Sequence, residues 1–464
     1  MARRVYIHTF GCQMNESDSL RMLESLANDG WSATGEVDQA DLILLNTCAI
    51  REKAEQKLFS ALGRYKEAKK ARGTILGVAG CVAQQEKGRL LKRAPYVDFV
   101  LGPDNLAALP ELVRGARDGT APRVETAWMD SQSYVFPRAD PEQSRGRVTA
   151  FVTAMKGCDN VCSFCVVPHT RGRELSRPYA EVVREVADLV EVGVREVTLI
   201  GQNVNSFSGG CDFPTLLRRV AAIPGLLRLR FTTSHPHDFG DELIRCFAEL
   251  PSLCPHLHLP VQSGSDDVLE RMRRDYTAAG YEAKIAALRA AVPHISLTSD
   301  IIVGFPGESD DDFEATLRLV ERVRYDNLYS FLYSSRPHTT AQLKEADWGE
   351  VPDDLKLHRL ERLQALQKET SSAIMAGAVG TEVEVLVEGA SRTDVNRLCG
   401  HSPENRTVNF AGAVSAGALA SVRIEASTPA SLIGKLTRVI SAAPAAGHVR
   451  SPVTLRASAL PIVS

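Results

Sequence analysis

At 464 residues the chain exceeds one ordinary domain and predicts about three. Hydrophobic residues at 44% and charged residues at 24% exclude the disordered and fibrous classes. The formal net charge of −3 excludes a chain that is basic overall, so any nucleic-acid contact has to come from local patches.

The amino terminus, MARRVYIHTFGC, reads as an immediate strand without an apolar leader or a small-residue cleavage site. No apolar run approaches the length of a membrane span, and a cytoplasmic location without membrane attachment is expected. There the ten cysteines stay reduced, and clustered thiols point to metal or catalysis.

The first segment alternates strand and helix. RVYIHTF is β-like, and SDSLRMLESLANDG is an amphipathic helix opened by Ser17 or Asp18 and stopped by Gly30. DLILLNT is a buried-type strand followed by the charged helix REKAEQKLFSALGRYKEAKKA. GTILGVAG is a third strand, and YVDFVLG a fourth before the helix NLAALPELV. This rhythm predicts an open, mostly parallel α/β sheet over residues 1–120. Residues 121–147 lose the rhythm and read as a linker.

It returns with RVTAFVTAM and runs through REVTLIG, LRLRFTT, HLHLPV, ISLTSDIIVG and NLYSFLY. Six βα units over residues 148–368 fit a partial (β/α) barrel. Between 372 and 438 the short strands TEVEVLVEG, RTVNFAG and ASVRIEAS predict a small β-barrel. The Ala/Ser/Pro-rich tail, 439–464, is expected to be disordered.

The stretch KGCDNVCSFCVVPHTRGRE places Cys158, Cys162 and Cys165 directly after the first barrel strand, at the rim where barrels place chemistry. Three thiolates on one loop can bind three irons of a cubane cluster and leave the fourth iron open. A disulfide would leave one thiol over, and a zinc site would need a fourth ligand, for which His169 is the nominee. Cys12, Cys48 and Cys81 also share one context: each follows a strand and precedes a helix. In an open parallel sheet such positions line one edge, where ligands bind. Cys211, Cys246, Cys254 and Cys399 lack a shared context and read as structural.

CxxxCxxC with Phe164 before the last cysteine resembles the signature of radical S-adenosylmethionine (SAM) enzymes. The loops GQNVNSF, LPVQSGSDDVLERMRR and SDIIVGFPGE end later strands on the same rim. They nominate Gly201, Gln202, Asn203, Gln262, Ser263, Gly264, Ser265, Gly304, Gly307 and Glu308 for the cofactor cleft. GCQMNESDS, NTCAIREKAEQK and AGCVAQQE resemble the amino-terminal domain of the methylthiotransferases, and the last barrel resembles the RNA-binding TRAM domain. Within that family the forms of the first two motifs resemble the MiaB-type tRNA enzymes.

The resemblance implies two [4Fe-4S] clusters, one on each triad, with SAM on the cluster of Cys158, Cys162 and Cys165. It implies radical methylthiolation at C2 of an isopentenylated adenosine beside the anticodon. The implied partners are tRNA, an electron donor such as flavodoxin and a sulfur donor of unknown identity. Alternatives within the family act on threonylcarbamoyl-adenosine or on a ribosomal-protein aspartate. A metal-stabilised RNA-binding protein without catalysis is the alternative outside it. Two arginine groups, Arg171, Arg173 and Arg177 and then Arg271, Arg273 and Arg274, lie near the rim as solvated surface or as phosphate contacts.

Overall fold

Strands β1 (Arg3–Thr9), β2 (Trp31–Ala33), β3 (Leu42–Thr47), β4 (Ile75–Gly80), β5 (Phe99–Leu101) and β6 (Arg123–Glu125) form one sheet in a computed structural model. The structure describes residues 3–49, 52–120, 122–392 and 394–443. The strand order is β2-β1-β3-β4-β5-β6, and every neighbouring pair is parallel. β3 and β4 are buried at every position, as strands covered on both faces must be. Ile43 and Leu45 pack with Leu58 and Leu62 of the helix Glu52–Arg72 on one face. Leu42 and Leu44 pack with Met22 and Leu26 of the helix Gln13–Asn28 on the other. The helices after β1 and β3 thus leave to opposite faces. The carboxyl ends of those two strands form the crevice where an open sheet takes its ligand.

Three details differ from the sequence expectations. The helix after β1 starts at Gln13 with Cys12 as its N-cap, and Ser17 and Asp18 are buried inside it. The polar side chains of that first turn serve a buried network, so they do not mark a cap. β2 and β6 were not expected; each has three residues, too few to show alternation. β6 lies in the segment read as a linker, yet it pairs with β5 and completes the sheet edge.

The central unit contains β7 (Thr149–Thr153), β8 (Met155–Lys156), β9 (Leu175–Ser176), β10 (Glu196–Ile200), β11 (Arg228–Phe231), β12 (His256–His258), β13 (Ser296–Val303) and β14 (Asn327–Leu332). β7, β10 and β11 form one parallel sheet, and β12, β13 and β14 another. A parallel bridge between Leu229 and Leu253, just before β12, joins the halves. Among the described residues β14 is not paired with β7, so the barrel is partial. The short antiparallel pair β8–β9 brackets the cysteine loop.

The last unit is a closed barrel of β15 (Glu382–Ala390), β16 (Leu398–His401), β17 (Thr407–Ala411), β18 (Leu419–Ser427) and β19 (Leu432–Ser441), ordered β15-β16-β17-β19-β18. β16 and β19 are additions to the three expected strands. Residues 439–441, expected in the tail, belong to β19; the rest of that tail from residue 444 lies outside the described residues. Arg228 and Arg230, buried at the start of β11, donate to the carbonyls of His401, Ser402 and Pro403, and Arg406 reaches Asp326. All three contacts lie at the amino ends of barrel strands. The small barrel therefore docks on the rim opposite the cysteines. No helix among the described residues is long and apolar enough to cross a membrane.

Candidate functional site: two cysteine triads joined through one arginine

Cys158, Cys162 and Cys165 leave β8 on a tight loop. Gly157 has φ +72°, and a Cβ there would stand 2.0 Å from the Arg173 carbonyl oxygen. Only glycine permits that approach. The loop is pinned by Cys158 N–H donating to Gly172 (3.2 Å), Ser163 N–H to Met272 (3.0 Å) and Cys165 N–H to Cys162 (3.1 Å). Gln202 accepts from Gly157 N–H at 2.5 Å and ties the loop after β10 to the cysteines. Phe164 packs edge-on to Phe305, in a cluster with Met272 and Tyr333.

The thiols sit among donors. Buried Arg274 donates to Cys162 Sγ at 3.4 Å, and Val167 N–H to Cys165 Sγ at 3.4 Å. His235 Nε2 lies 3.9 Å from Cys162 Sγ. Burial raises the Cys158 thiol to about 11 and Cys165 to about 12, with the neighbouring Cys162 also raising both. A metal bound here would have to displace protons from these thiols.

The second triad gathers at the carboxyl ends of β1, β3 and β4. Gly11 and Gly80 precede Cys12 and Cys81 with φ +113° and +92°. A Cβ on Gly11 would lie 2.9 Å from Cys48 Sγ, and one on Gly80 would lie 2.4 Å from the Thr47 carbonyl oxygen. A hydrogen bond with Cys48 lowers the pKa of the Cys12 thiol, and burial raises that of Cys81. Beneath the thiols lies a polar network. Asn15 donates to the Phe10 carbonyl, Asn46 donates to Asn15 O and Ser19 Oγ, and Ser19 meets Thr9.

Arg171, six residues after Cys165, links the two sites. Buried, it crosses to the amino-terminal unit and donates to Cys81 Sγ at 3.3 Å, Asn15 Oδ1 at 2.9 Å and Asp18 Oδ2 at 2.7 Å. A second buried pair, Lys156 with Asp104 at 2.6 Å, joins the same two units. Lys156 Nζ also lies 3.7 Å from the centre of the Tyr134 ring. Arg171 and Lys156, which flank the central triad in sequence, thus hold it against the unit that carries the other.

Among the described residues no three His, Cys, Asp or Glu side chains converge as ligands of one metal ion. In a cubane each thiolate binds its own iron, so its sulfurs stand around the cluster and do not share one point. Clustered thiols, cationic donors beside them, and glycines that let backbone close in all fit iron–sulfur ligation.

The residues nominated for the cofactor cleft divide. Gly201, Gln202 and Asn203 adjoin the cysteine loop, and Asn203 binds Asp238 (2.7 Å) and His235 N–H (3.1 Å). Gln262 has φ +71°. Ser263 and Gly264 pack on Thr316, and Ser265 caps the helix Asp266–Arg271, so these three face inward to helices. Gly304 N–H donates to Glu308, whose buried carboxylate pairs with Arg359 at 2.8 Å. A Cβ on Gly307 would lie 2.8 Å from the Trp348 carbonyl oxygen.

The arginine groups need correcting. Arg171 and Arg274 hold sulfur, and Arg177, fully buried, holds Glu185 at 2.6 Å. Arg271 binds the Gly307 carbonyl, and Arg173 faces solvent beside Asp159. Three of the six are therefore interior, where phosphate cannot reach them. Sequence reasoning missed Lys156, Asp104 and His235. The signal for His235 was present in SHPHDF, which follows β11.

Three family descriptions match the chain: uncharacterized protein family UPF0004 over residues 4–102, radical SAM superfamily over 152–320, and TRAM domain over 378–437. A tRNA-2-methylthio-N(6)-dimethylallyladenosine synthase of Myxococcus xanthus (strain DK1622) is 60% identical over 93% of this chain and 94% of its own length. The same-named protein of Anaeromyxobacter sp. (strain K) is 61% identical over 94% of each. That of Geobacter metallireducens is 51% identical over 93% of this chain and 98% of its own. Among solved structures, the radical SAM methyltransferase TsrM of Kitasatospora setae shares the fold with a TM-score of 0.54. It is 17% identical and covers 74% of this chain and 76% of its own. The chain belongs to the tRNA-2-methylthio-N(6)-dimethylallyladenosine synthase family of radical SAM methylthiotransferases.

Proposed function

We propose that this protein methylthiolates C2 of N6-isopentenyladenosine beside the anticodon of tRNA, in the cytoplasm. The observation that carries the reading is the near full-length 60% identity to relatives of that name, on a chain whose two triads are linked through Arg171. Cys158, Cys162 and Cys165 would hold one [4Fe-4S] cluster and Cys12, Cys48 and Cys81 a second. When bound, the clusters and SAM supply the electron, the radical source, the sulfur and the methyl group.

The chain's own residues do the rest. Gly157 and Gly11 let backbone close around the thiols, and Arg274 and Arg171 donate to Cys162 and Cys81. The backbone at Gly201–Asn203, Gln262–Ser265 and Gly304–Glu308 would line the SAM cleft. The side chains of Ser263, Ser265 and Glu308 support that lining from behind. Domain limits near 1–120, 148–368 and 372–438, with 121–147 between the first two and 439–464 last, fit this division of labour once β6 is added to the first and the end of β19 to the last. A low-potential donor such as a flavodoxin would supply electrons. Mass spectrometry of tRNA nucleosides from cells lacking the protein tests the reading: the methylthiolated nucleoside should vanish and its isopentenyl precursor accumulate. An unchanged nucleoside profile would overturn it.

A further inference from the structure

Between Lys57 and Arg93 the sequence holds ten Lys and Arg against two Asp and Glu, an excess of eight in a chain of net −3. Most of these residues lie on two adjacent helices. The helix Glu52–Arg72 has 21 residues, about 30 Å of length. The short helix Gly88–Arg93 is held beside it by Arg93 over the Phe59 ring (3.5 Å) and by Lys66 over Tyr96 (5.4 Å). Arg64, Lys66, Lys70, Arg72, Lys87, Arg89, Lys92 and Arg93 are all exposed. Lys69 pairs with Asp98, Arg72 with Asp38 and Arg89 with Glu86. Among the described residues, Lys66, Lys70, Lys87 and Lys92 have no carboxylate partner within ion-pair distance.

The small barrel carries no comparable excess of cations. Residues 378–437 carry five Lys and Arg against six Asp and Glu. Arg406 is committed to Asp326 and Arg397 to Asp394. The barrel also docks on the rim away from the cysteines.

We propose that the helix pair Glu52–Arg72 and Gly88–Arg93 is a phosphate-binding face for tRNA. The proposal rests on the tRNA reading above and adds where the polyanion is gripped. Position supports it. Lys87 directly follows the six-residue helix Cys81–Glu86, about 9 Å of rise from the triad. The exposed cations of the longer helix, Arg64, Lys66, Lys70 and Arg72, lie in its last nine residues, at the end away from Cys48. An RNA stem whose loop enters the site between the triads would lay its backbone along this face. Phosphate contacts of this kind fix register without reading sequence. An acidic protein docking to pass electrons is the competing occupant. Four unpaired lysines, one just after the short helix that starts at Cys81 and the others further along the helix pair, match spaced phosphates of a nucleic-acid backbone better than a compact donor.

The test uses the full-length, iron-loaded protein with Lys66→Ser, Lys70→Ser, Lys87→Ser and Lys92→Ser combined. Transcribed tRNA affinity is measured by fluorescence anisotropy between 50 and 200 mM salt. Each lost phosphate contact removes about 0.7–0.9 from the slope of log K against log salt. Four contacts make the wild type lose about two decades more affinity than the variant across that range. Iron content and SAM cleavage without RNA should stay at wild-type values, and the corresponding Lys→Arg variant should restore affinity. Unchanged affinity and slope in the Ser variant would overturn the proposal while leaving the tRNA reading intact. So would intact tRNA binding with slowed reduction by a flavodoxin, which would assign the face to the donor. A wild type that binds no tRNA at 50 mM salt would overturn both readings together.

Discussion

Arg171→Met should loosen the boundary between the two triads by a measurable amount. The side chain is 5% exposed, and its partner Asp18 has its pKa raised by burial even with the guanidinium beside it. Removing one member of a buried, hydrogen-bonded pair costs about 3–5 kcal/mol, because the other charge is left in a poor medium. At about 1.4 kcal/mol per tenfold change, the equilibrium for local opening rises by about two to three and a half decades. Hydrogen exchange with peptide-level mass spectrometry reads this directly. The helix Gln13–Asn28 and the segment around Cys81 should lose that much protection, while β12–β14 keep theirs. Adding Asp18→Asn should recover part of the loss, since no unpaired carboxylate then remains. A double variant whose losses simply add, or an Arg171→Met protein with unchanged protection, would refute the idea that this pair fastens the boundary.

Gly157→Ala forces a Cβ to within 2.0 Å of the Arg173 carbonyl at φ +72°; iron bound at the central triad should fall sharply, read by iron assay and visible absorption. Arg230→Met removes the donors to Ser402 and Pro403 and leaves buried Glu196 short of a partner. Limited proteolysis should then release residues after about 378 faster, with SAM cleavage in the absence of RNA retained. His8 is held neutral, its pKa lowered to about 4 by burial and by Arg64. Its contribution to stability is present above pH 6.5 and lost as pH falls from 6.5 towards 4, since the unfolded histidine takes up the proton first. In urea titrations His8→Gln should flatten that acid-side slope.

Both triads were legible because strand-end placement is written locally. DLILLNT before Cys48 and GTILGVAG before Cys81 are continuous apolar runs, and these fix where the chain emerges from the sheet. The six central strands were legible from short runs with apolar residues at alternate positions, such as HLHLPV. What escaped depends on partners distant in sequence. Nothing around Arg171 marks it as interior, because its burial is created by Asn15, Asp18 and Cys81 from another unit. Ser17 or Asp18 reads as the residue that opens the helix, yet Asn15, Ser17, Asp18 and Ser19 are all buried beneath the thiols. That misplaced the start of the first helix. β2 and β6 are edge strands of three residues whose pairing is set by their neighbours.

The measurement that bears most directly on the account separates the two triads. Cys12→Ala, Cys48→Ala and Cys81→Ala combined should leave a folded protein with about half the iron of the wild type, still able to cleave SAM to 5′-deoxyadenosine under reduction. It should put no methylthio group on tRNA. Cys158→Ala, Cys162→Ala and Cys165→Ala combined should abolish both SAM cleavage and tRNA product. An amino-terminal triple variant, folded and half-loaded with iron, that still makes methylthiolated tRNA would contradict the assignment. The second triad would then hold structure alone, and the sulfur would come from elsewhere.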